Sequence, residues 1–256
     1  MYGQRKVKYD TLRKYICHLN DHAKFSGKSL VIPPLALQVA KQWRKKERNS
    51  SYFITPKPAL QFEALQALCS LKAETPNHNV LLALTIFGYY SLARLGELIP
   101  EPGQRPPKFV DLVVEGGVAT IFLQRSKTDY NRCGAPLSVP LDIWRSIEKL
   151  LGFKSLAEGK FNLPIFQTAG KTLTKASYNK WLVRSLVRAG FAPLAGTIGH
   201  SLRRGGAQYL WRLGHTIEEI RVRGRWVSDS WRRYINLNMP RWTDPPSLRL
   251  SFLASF

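Results

Sequence analysis

The sequence predicts a mainly α-helical fold with a small antiparallel β-sheet in the middle of the chain, an α+β class. Apolar residues recur at helical spacing through most of the 256 residues. Between about Val110 and Val139 the period shortens to the alternation typical of strands. Apolar residues make up 44% of the chain, enough for a sizeable core, which argues against wholesale disorder.

The first 50 residues predict a short helical segment that cannot build much of a core alone. We expect Asp10 to cap a first helix, whose apolar face is Leu12, Tyr15, Ile16 and Leu19. A second helix is predicted from about Leu35 to Arg48. Its end is crowded with basic residues: Lys41, Arg44, Lys45, Lys46 and Arg48. Residues 49–58 resemble a linker, so we divide the chain into residues 1–50 and a larger domain, 51–256.

Two helices precede the predicted sheet. The first carries Phe62, Leu65, Leu68 and Cys69 on its apolar face. The second is the apolar run from Val80 to Ala93, which is too short to span a membrane and predicts a buried helix. It should deliver Arg94 at its C-terminal end, with Glu97 three residues further on.

The predicted sheet has strands at Val113–Val114, Val118–Gln124 and Ala135–Val139. Gly116 and Gly117 predict a hairpin turn between the first two. The polar stretch between the last two places Lys127 at the tip of the second hairpin.

Helices return after the sheet. Asp142 should cap one that runs through Leu151, and Thr174 should cap another that ends near Ala189, before Gly190. A short strand is predicted at Leu163–Phe166. A tail from about residue 236 is broken by prolines and ends in an apolar group, which packs either on its own domain or on a neighbouring subunit: Leu248, Leu250, Phe252 and Leu253.

The charge points to a polyanionic partner. Lys and Arg number 39 against 17 Asp and Glu, a formal net charge of +22, which favours nucleic acid over a generic basic protein or an anionic membrane. Cys17, Cys69 and Cys133 are odd in number and far apart, so neither a disulfide framework nor a zinc ribbon is predicted, and a reducing intracellular compartment fits.

Residues 199–235 contain the candidate site. His200 and Arg203 are three apart and share a helix face, with Arg204 expected to point away. Gly205 and Gly206 would allow close backbone approach, and Tyr234 is the candidate nucleophile.

Each of the candidate residues also has a structural interpretation. Arg94 is suited to a helix end, Lys127 to a solvated turn and Trp226 to packing, while His215, Tyr130, Tyr178 and Tyr209 compete with the histidine and the tyrosine.

Four pieces in order resemble the tyrosine recombinase (phage integrase) superfamily: ARLGEL, a hairpin lysine in SKT, HSLRRGGA and GRWVSDSWRRYI. The resemblance covers about Thr55 to Ile235. It implies that Arg94 and Arg203 bind the phosphate, that Lys127 protonates the 5′ leaving group, and that His200 assists proton transfer or binds phosphate. It further implies that Trp226 donates an indole N–H, that Tyr234 forms a 3′-phosphotyrosine, and that Glu97 supports Arg94.

The same resemblance implies an enzyme that needs neither metal nor ATP and acts on double-stranded DNA as a dimer or tetramer, with no membrane and no small-molecule substrate. Residues 1–50 would then be a partial core-binding segment.

We expect DNA contacts from Lys41, Arg44, Lys45, Lys46, Arg125, Arg204, Arg225, Arg232 and Arg233. The GRW motif and the short Trp226–Tyr234 spacing depart from the bacterial pattern and favour a eukaryotic mobile element. The expected location is intracellular: the nucleus if the source is eukaryotic, and otherwise the cytoplasm. Two alternatives remain: a type IB topoisomerase, and a DNA-binding derivative without catalysis.

Overall fold

The computed structural model describes residues 9–28, 38–39, 42, 58–99, 104–124, 134–152, 162–169, 173–194 and 198–246. The chain divides into two compact units, Met1–Pro56 and Lys57–Phe256. In the first unit, α1 spans Tyr9–Phe25, so Asp10 is its second residue and not its cap. Tyr15 and Leu19, on the predicted apolar face, are exposed. The second predicted helix lies almost wholly outside the described residues, as do the four basic candidates Lys41, Arg44, Lys45 and Lys46.

The core of the second unit is built around a helix that is apolar on all sides. Helix α2 (Phe62–Cys69) precedes it, and α3 (His78–Tyr90) is buried at nearly every position. The helix stops three residues before the predicted end because Leu92 adopts a positive φ of 53°. Arg94 therefore begins the short helix α4 (Leu95–Leu98) as its N-cap residue. The expectation that Arg94 ends the apolar helix was wrong for this reason.

The predicted sheet is confirmed. Strands β1 (Leu112–Glu115), β2 (Val118–Leu123) and β3 (Ala135–Pro140) form an antiparallel sheet in the order β1-β2-β3. Gly116 and Gly117, with φ of 54° and 77°, form the first turn. The second hairpin connection, which holds Arg125, Lys127 and Tyr130, lies outside the described residues.

The predicted strand at Leu163–Phe166 is not a strand. Pro164 forms a single isolated bridge with Lys108, and the flanking bonds run from Phe109 N to the Leu163 carbonyl and from Ile165 N to the Pro107 carbonyl. Pro107 has no N–H with which to return the bond from Ile165, so pairing does not extend along this segment.

Two helices follow the sheet close to their predicted positions. Helix α5 (Leu141–Leu151) begins after Pro140, so Asp142 lies in its first turn and is not the cap. Helix α6 (Lys175–Arg188) is capped as predicted, since Thr174 Oγ1 accepts a hydrogen bond of 3.1 Å from Ser177 N. Tyr178, Leu182 and Leu186 face the core from α6.

The last helices carry the candidate site. Helix α7 (Ser201–Arg212) follows a 3-10 turn at Ile198–His200, and α8 (Ile217–Gly224) is followed by a 3-10 helix at Asp229–Arg233. A Cβ atom on Gly205 would collide with the Leu60 carbonyl oxygen, and one on Gly206 with that of Tyr89. The glycine pair therefore lets α7 lie directly against the start of the unit and against α3.

The described part of the tail folds back on its own unit. Trp242 donates its backbone N–H to the Arg212 carbonyl at 2.8 Å, and its ring lies 3.8 Å from the Arg212 guanidinium carbon. The apolar residues from Leu248 to Leu253 lie outside the described residues.

Candidate active site

Arg203 is the most enclosed polar side chain of the site, with no solvent exposure. It projects from the first turn of α7 between two other segments. Nη1 donates to the Leu92 carbonyl at 2.7 Å, and Nη2 donates to the Gly224 carbonyl. Because the backbone of Leu92 is in the left-handed conformation, its carbonyl faces Arg203, which lies 111 residues further along the chain. Arg203 joins the turn after α3 to the end of α8.

Two aromatic rings cover the Arg203 guanidinium. Its carbon lies 4.4 Å from the Trp226 ring centroid and 5.6 Å from that of Tyr234. The two rings lie 4.9 Å apart. The π faces of both rings favour a cation at this distance. Trp226 is therefore packed against the arginine, as its structural interpretation requires.

Tyr234 meets His200 at the edge of this stack. The tyrosine closes the 3-10 helix Asp229–Arg233, and the histidine is the N-cap residue of α7. Tyr234 Oη lies 3.0 Å from His200 Nδ1, a hydrogen-bond distance. A histidine so placed can accept a phenolic proton.

The competing residues are engaged elsewhere. Tyr209 is 2% exposed, and burial raises its pKa to about 12, which disfavours the phenolate. Tyr178 is fully buried, and its hydroxyl lies 2.9 Å from Thr85 Oγ1. His215 is paired with Glu219 at 3.3 Å. Tyr130 lies outside the described residues.

Glu97 binds two arginines next to the rings of Trp226 and Tyr234. Its Oε1 accepts from Arg94 Nη1 at 2.9 Å, and its Oε2 accepts from Arg225 Nη2 at 2.8 Å. The Arg94 backbone N–H also donates to Oε2, at 2.8 Å. Burial acts to raise the pKa of Glu97, but the charges of Arg225 and Arg94 and their hydrogen bonds lower it overall. The carboxylate is therefore ionised at neutral pH.

The site is strongly cationic. Burial, and then the positive charges of Arg94 and Arg225, lower the pKa of Arg203 to about 10. The guanidinium stays protonated at pH 7, so it adds its positive charge to those of Arg94 and Arg225. Such an array suits an anion that gains charge during a reaction.

Arg204 does not point away from the site. Its guanidinium carbon lies 5.5 Å from the Tyr234 ring, and its Nε and Nη1 donate to the Arg233 and Pro58 carbonyls, both at 3.2 Å. The expectation followed from helical spacing on α7 alone. It was wrong because the Tyr234 segment folds back across α7 and meets the next face of the helix.

The other residues predicted to bind DNA or to act in catalysis have different surroundings, and some of them lie outside the described residues. Arg232 and Arg233 are exposed next to Tyr234, as a DNA contact requires. Arg225 is turned inward to Glu97. Lys127 and Arg125 lie outside the described residues. Within the described part of the chain, no cluster of three His, Cys, Asp or Glu residues is arranged to hold a metal ion, and no described helix is both long and apolar enough to cross a membrane.

Comparisons with known proteins identify the fold. No family model and no curated protein matches the chain. Among solved structures, XerH site-specific recombinase bound to palindromic difH substrate, a post-cleavage complex, has a TM-score of 0.52 at 20% identity over 73% of this chain and 51% of that one. The pre-cleavage complex of XerH with difH has a TM-score of 0.53 at 18% identity over 89% of this chain and 67% of that one.

A lambda integrase tetramer bound to a Holliday junction also matches, with a TM-score of 0.50 at 12% identity over 93% of this chain and 67% of that one. The chain spans about half the length of the first XerH chain. At these identities the likeness concerns architecture. The second unit therefore has the fold found in these recombinases, in agreement with the predicted fold class.

Proposed function

We propose that this protein is a site-specific DNA recombinase that cuts and rejoins DNA through a covalent bond to Tyr234. The observation that carries the proposal is the hydrogen-bond distance of 3.0 Å between Tyr234 Oη and His200 Nδ1, next to the buried Arg203. The fold shared with XerH and lambda integrase supports it, as does the order of the motifs in the sequence.

The chemistry is a pair of transesterifications. Tyr234 Oη attacks the phosphorus, His200 accepts its proton, and the bond from phosphorus to the 5′ oxygen breaks. Lys127 protonates that oxygen, which leaves a 3′-phosphotyrosine and a 5′ hydroxyl. Attack by a 5′ hydroxyl on the phosphotyrosine reverses these steps and releases the tyrosine. The ester energy is kept throughout, so neither ATP nor a metal ion is required.

Arginines supply the electrostatic part of the mechanism. Arg94 and Arg203 bind the non-bridging oxygens, whose negative charge is greatest in the pentavalent transition state. Arg203 is fully enclosed in this structure, with the rings of Trp226 and Tyr234 against its guanidinium, so part of this cover must move before the side chain reaches an anion. Trp226 packs against the guanidinium beside Tyr234 and offers its indole N–H to the phosphate.

The basic surface binds double-stranded DNA, with Arg204, Arg232 and Arg233 nearest the nucleophile. Residues 1–50 add a partial second DNA-binding segment with the cluster Lys41, Arg44, Lys45 and Lys46, and Arg125 adds a contact beside Lys127. Strand exchange joins two sites, so the active form is a dimer or tetramer on DNA. The GRW motif favours a eukaryotic mobile element, whose recombinase would act in the nucleus; a recombinase from another source would act in the cytoplasm.

A covalent adduct tests the proposal on a mixture of DNA sequences. The full chain is incubated with nicked duplexes that carry randomised sequence around the nick. Cleavage close to the nick releases a short strand that begins with the 5′ hydroxyl. Because that strand diffuses away, the reaction cannot reverse, and the protein stays bound to the DNA. We expect a denaturant-resistant adduct with a selected subset of sequences, and none from Tyr234→Phe. The matched control, Tyr178→Phe, removes a buried hydroxyl outside the site and should still form adduct.

Three results would contradict the proposed function or the choice of Tyr234 as the nucleophile. Absence of any wild-type adduct leaves DNA binding without catalysis. An adduct that persists in Tyr234→Phe places the nucleophile elsewhere. An adduct with no sequence preference, accompanied by relaxation of supercoiled DNA by a monomer, identifies a type IB topoisomerase instead.

A further inference from the structure

We propose that Arg225 is a positioning residue of this site, which acts through Glu97 to hold Arg94 ready for the phosphate. The inference rests on the proposed function. The sequence predicted a direct DNA contact for Arg225, but three features of its surroundings favour the indirect role.

The first feature is the backbone of Arg225, which adopts the left-handed conformation at φ 56° and ψ 42°. Its N–H donates to the Val222 carbonyl at 2.9 Å, and that of Trp226 donates to the Arg221 carbonyl at 3.0 Å. These bonds are those of a Schellman motif, whose left-handed position favours glycine. An arginine there is a strained choice, and such strain points to a role for the side chain.

The second feature is where the side chain goes. Only 14% of it is exposed, and Nη2 lies 2.8 Å from Glu97 Oε2, while the Glu97 side chain is 6% exposed. Nε and Nη1 of Arg225 are buried and have no hydrogen-bond partner, so its hydrogen bonding is directed to Glu97. A DNA backbone approaches from solvent, whereas this side chain points inward.

The third feature is the charge balance around Glu97. One carboxylate faces two guanidinium groups, Arg94 on Oε1 at 2.9 Å and Arg225 on Oε2 at 2.8 Å. Arg225 neutralises the carboxylate, so the charge of Arg94 remains available to an incoming phosphate. Without Arg225, Glu97 would compete with the phosphate for Arg94 and would lose one of the hydrogen bonds that fix its orientation.

The pair also connects two parts of the site that lie far apart in sequence. Glu97 is in α4 and Arg225 follows α8 directly, next to the Gly224 carbonyl that binds Arg203. The ion pair thus sets the spacing between the two phosphate-binding arginines, Arg94 and Arg203.

A double-mutant cycle tests this role on a duplex that traps wild-type protein. Cleavage is measured under single-turnover conditions for wild type, Arg225→Gly, Glu97→Gln and the double variant, together with DNA affinity and the melting temperature. The control Arg145→Ala removes the same charge from the exposed face of α5. Arg225→Lys keeps the charge without the guanidinium fork.

We expect Arg225→Gly to slow cleavage on the order of tenfold to a hundredfold, the range known for residues that hydrogen-bond and orient the ligands of a metal ion. DNA affinity should match that of Arg145→Ala, and the melting temperature should fall modestly, because loss of the ion pair with the buried Glu97 outweighs the backbone strain that glycine relieves. In the Glu97→Gln background the same substitution should have much less effect, since the two residues act in series. Arg225→Lys should recover part of the lost rate.

Other outcomes overturn the inference and leave the proposed function standing. Wild-type cleavage rates in Arg225→Gly would show that Arg225 positions nothing. A loss of affinity with a salt slope reduced by about one, equal in both backgrounds, would show a direct phosphate contact. A lower melting temperature that accounts for all lost activity would show a purely structural pair. Failure of the wild type itself to form adduct would instead overturn the proposed function, and this inference with it.

Discussion

Arg203 is held by the protein before any substrate arrives. Two backbone carbonyls, those of Leu92 and Gly224, accept from its two terminal nitrogens. Its charge is buried, and burial is the main reason that its pKa falls to about 10. A guanidinium bound in this way has a fixed orientation, so little rearrangement is required of it when a phosphate binds.

Replacement of Arg203 by alanine should therefore affect folding as well as cleavage. We expect Arg203→Ala to lower the free energy of unfolding by about 2–4 kcal/mol, because two carbonyls lose their donor and a cavity remains. Cleavage should fall by at least about a hundredfold beyond any unfolded fraction. Urea unfolding and adduct formation on the same samples separate the two effects.

Arg203→Lys is the matched control for charge. It keeps the positive charge but cannot reach both carbonyls, so cleavage should stay low while stability partly recovers. An alanine variant as stable as wild type would show that the two carbonyl contacts contribute no net stability.

The sequence predicted part of the site at the level of residues. Tyr234, His200 and Arg203 come together, and the spacing of the last two on α7 was a sufficient reason to group them. Arg204 was misplaced because helix periodicity cannot show which other segment crosses the helix. The Arg225–Glu97 pair was missed as well. Its one trace in the sequence is an arginine at a helix end where glycine is usual.

The glycine pair of α7 is the feature that seats this helix in the unit. A Cβ on Gly205 would approach the Tyr89 ring to 2.7 Å and collide with the Leu60 carbonyl, and one on Gly206 would approach Leu92 Cδ2 to 2.6 Å and collide with the Tyr89 carbonyl. These contacts leave no room for a methyl group. Close approach of α7 to α3 therefore depends on both residues.

Alanine at either glycine should destabilise the protein. Within a helix this change ordinarily stabilises by about 0.5–1 kcal/mol, but here we expect a loss of about 1–3 kcal/mol from overpacking. Gly199→Ala is the control, because a Cβ there meets nothing within 4 Å. Thermal unfolding of the three variants checks this. Equal or higher melting temperatures for Gly205→Ala and Gly206→Ala would show that the contacts relax without penalty.

Elements were easier to predict than their ends. Periodicity identified the apolar helix α3, and the Gly116–Gly117 pair identified the first hairpin. The end of α3 was missed because it depends on a positive φ at Leu92, which leucine does not signal. Asp142 was taken for a cap on residue type alone, whereas α5 begins directly after Pro140. Local sequence gives the period of an element, and tertiary contacts set its limits.

Over the whole molecule, the net charge of +22 should dominate DNA affinity. Binding should weaken linearly on a logarithmic salt scale, with a slope of about −0.9 per phosphate neutralised. Arg232→Ala and Arg233→Ala should each lower that slope by about one and weaken binding similarly for all sequences. Lys149→Ala, an equal charge change on α5, is the control. Fluorescence anisotropy titrations over a range of salt concentrations measure these slopes, and unchanged slopes in both arginine variants would place the DNA elsewhere.

Within the described residues, the site is an assembly of three separate segments. Residues 92–97, 198–204 and 224–234 meet only in the folded unit, and a single sequence does not show how they meet. Their order was sufficient to predict the fold. Their geometry depends on backbone carbonyls and on one buried carboxylate, neither of which has a sequence signature.

The short stretch before α2 also sets where this protein can be dissected. Leu60 is fully buried, and its N–H donates to the Ser201 carbonyl at 3.1 Å, while the Pro58 carbonyl accepts from Arg204 at 3.2 Å. A fragment that begins at Lys57 retains these two contacts, whereas one that begins at Gln61 keeps every described helix and strand of the unit but loses both contacts. Boundaries drawn from secondary structure alone would therefore remove the backbone that supports the start of α7, immediately after His200.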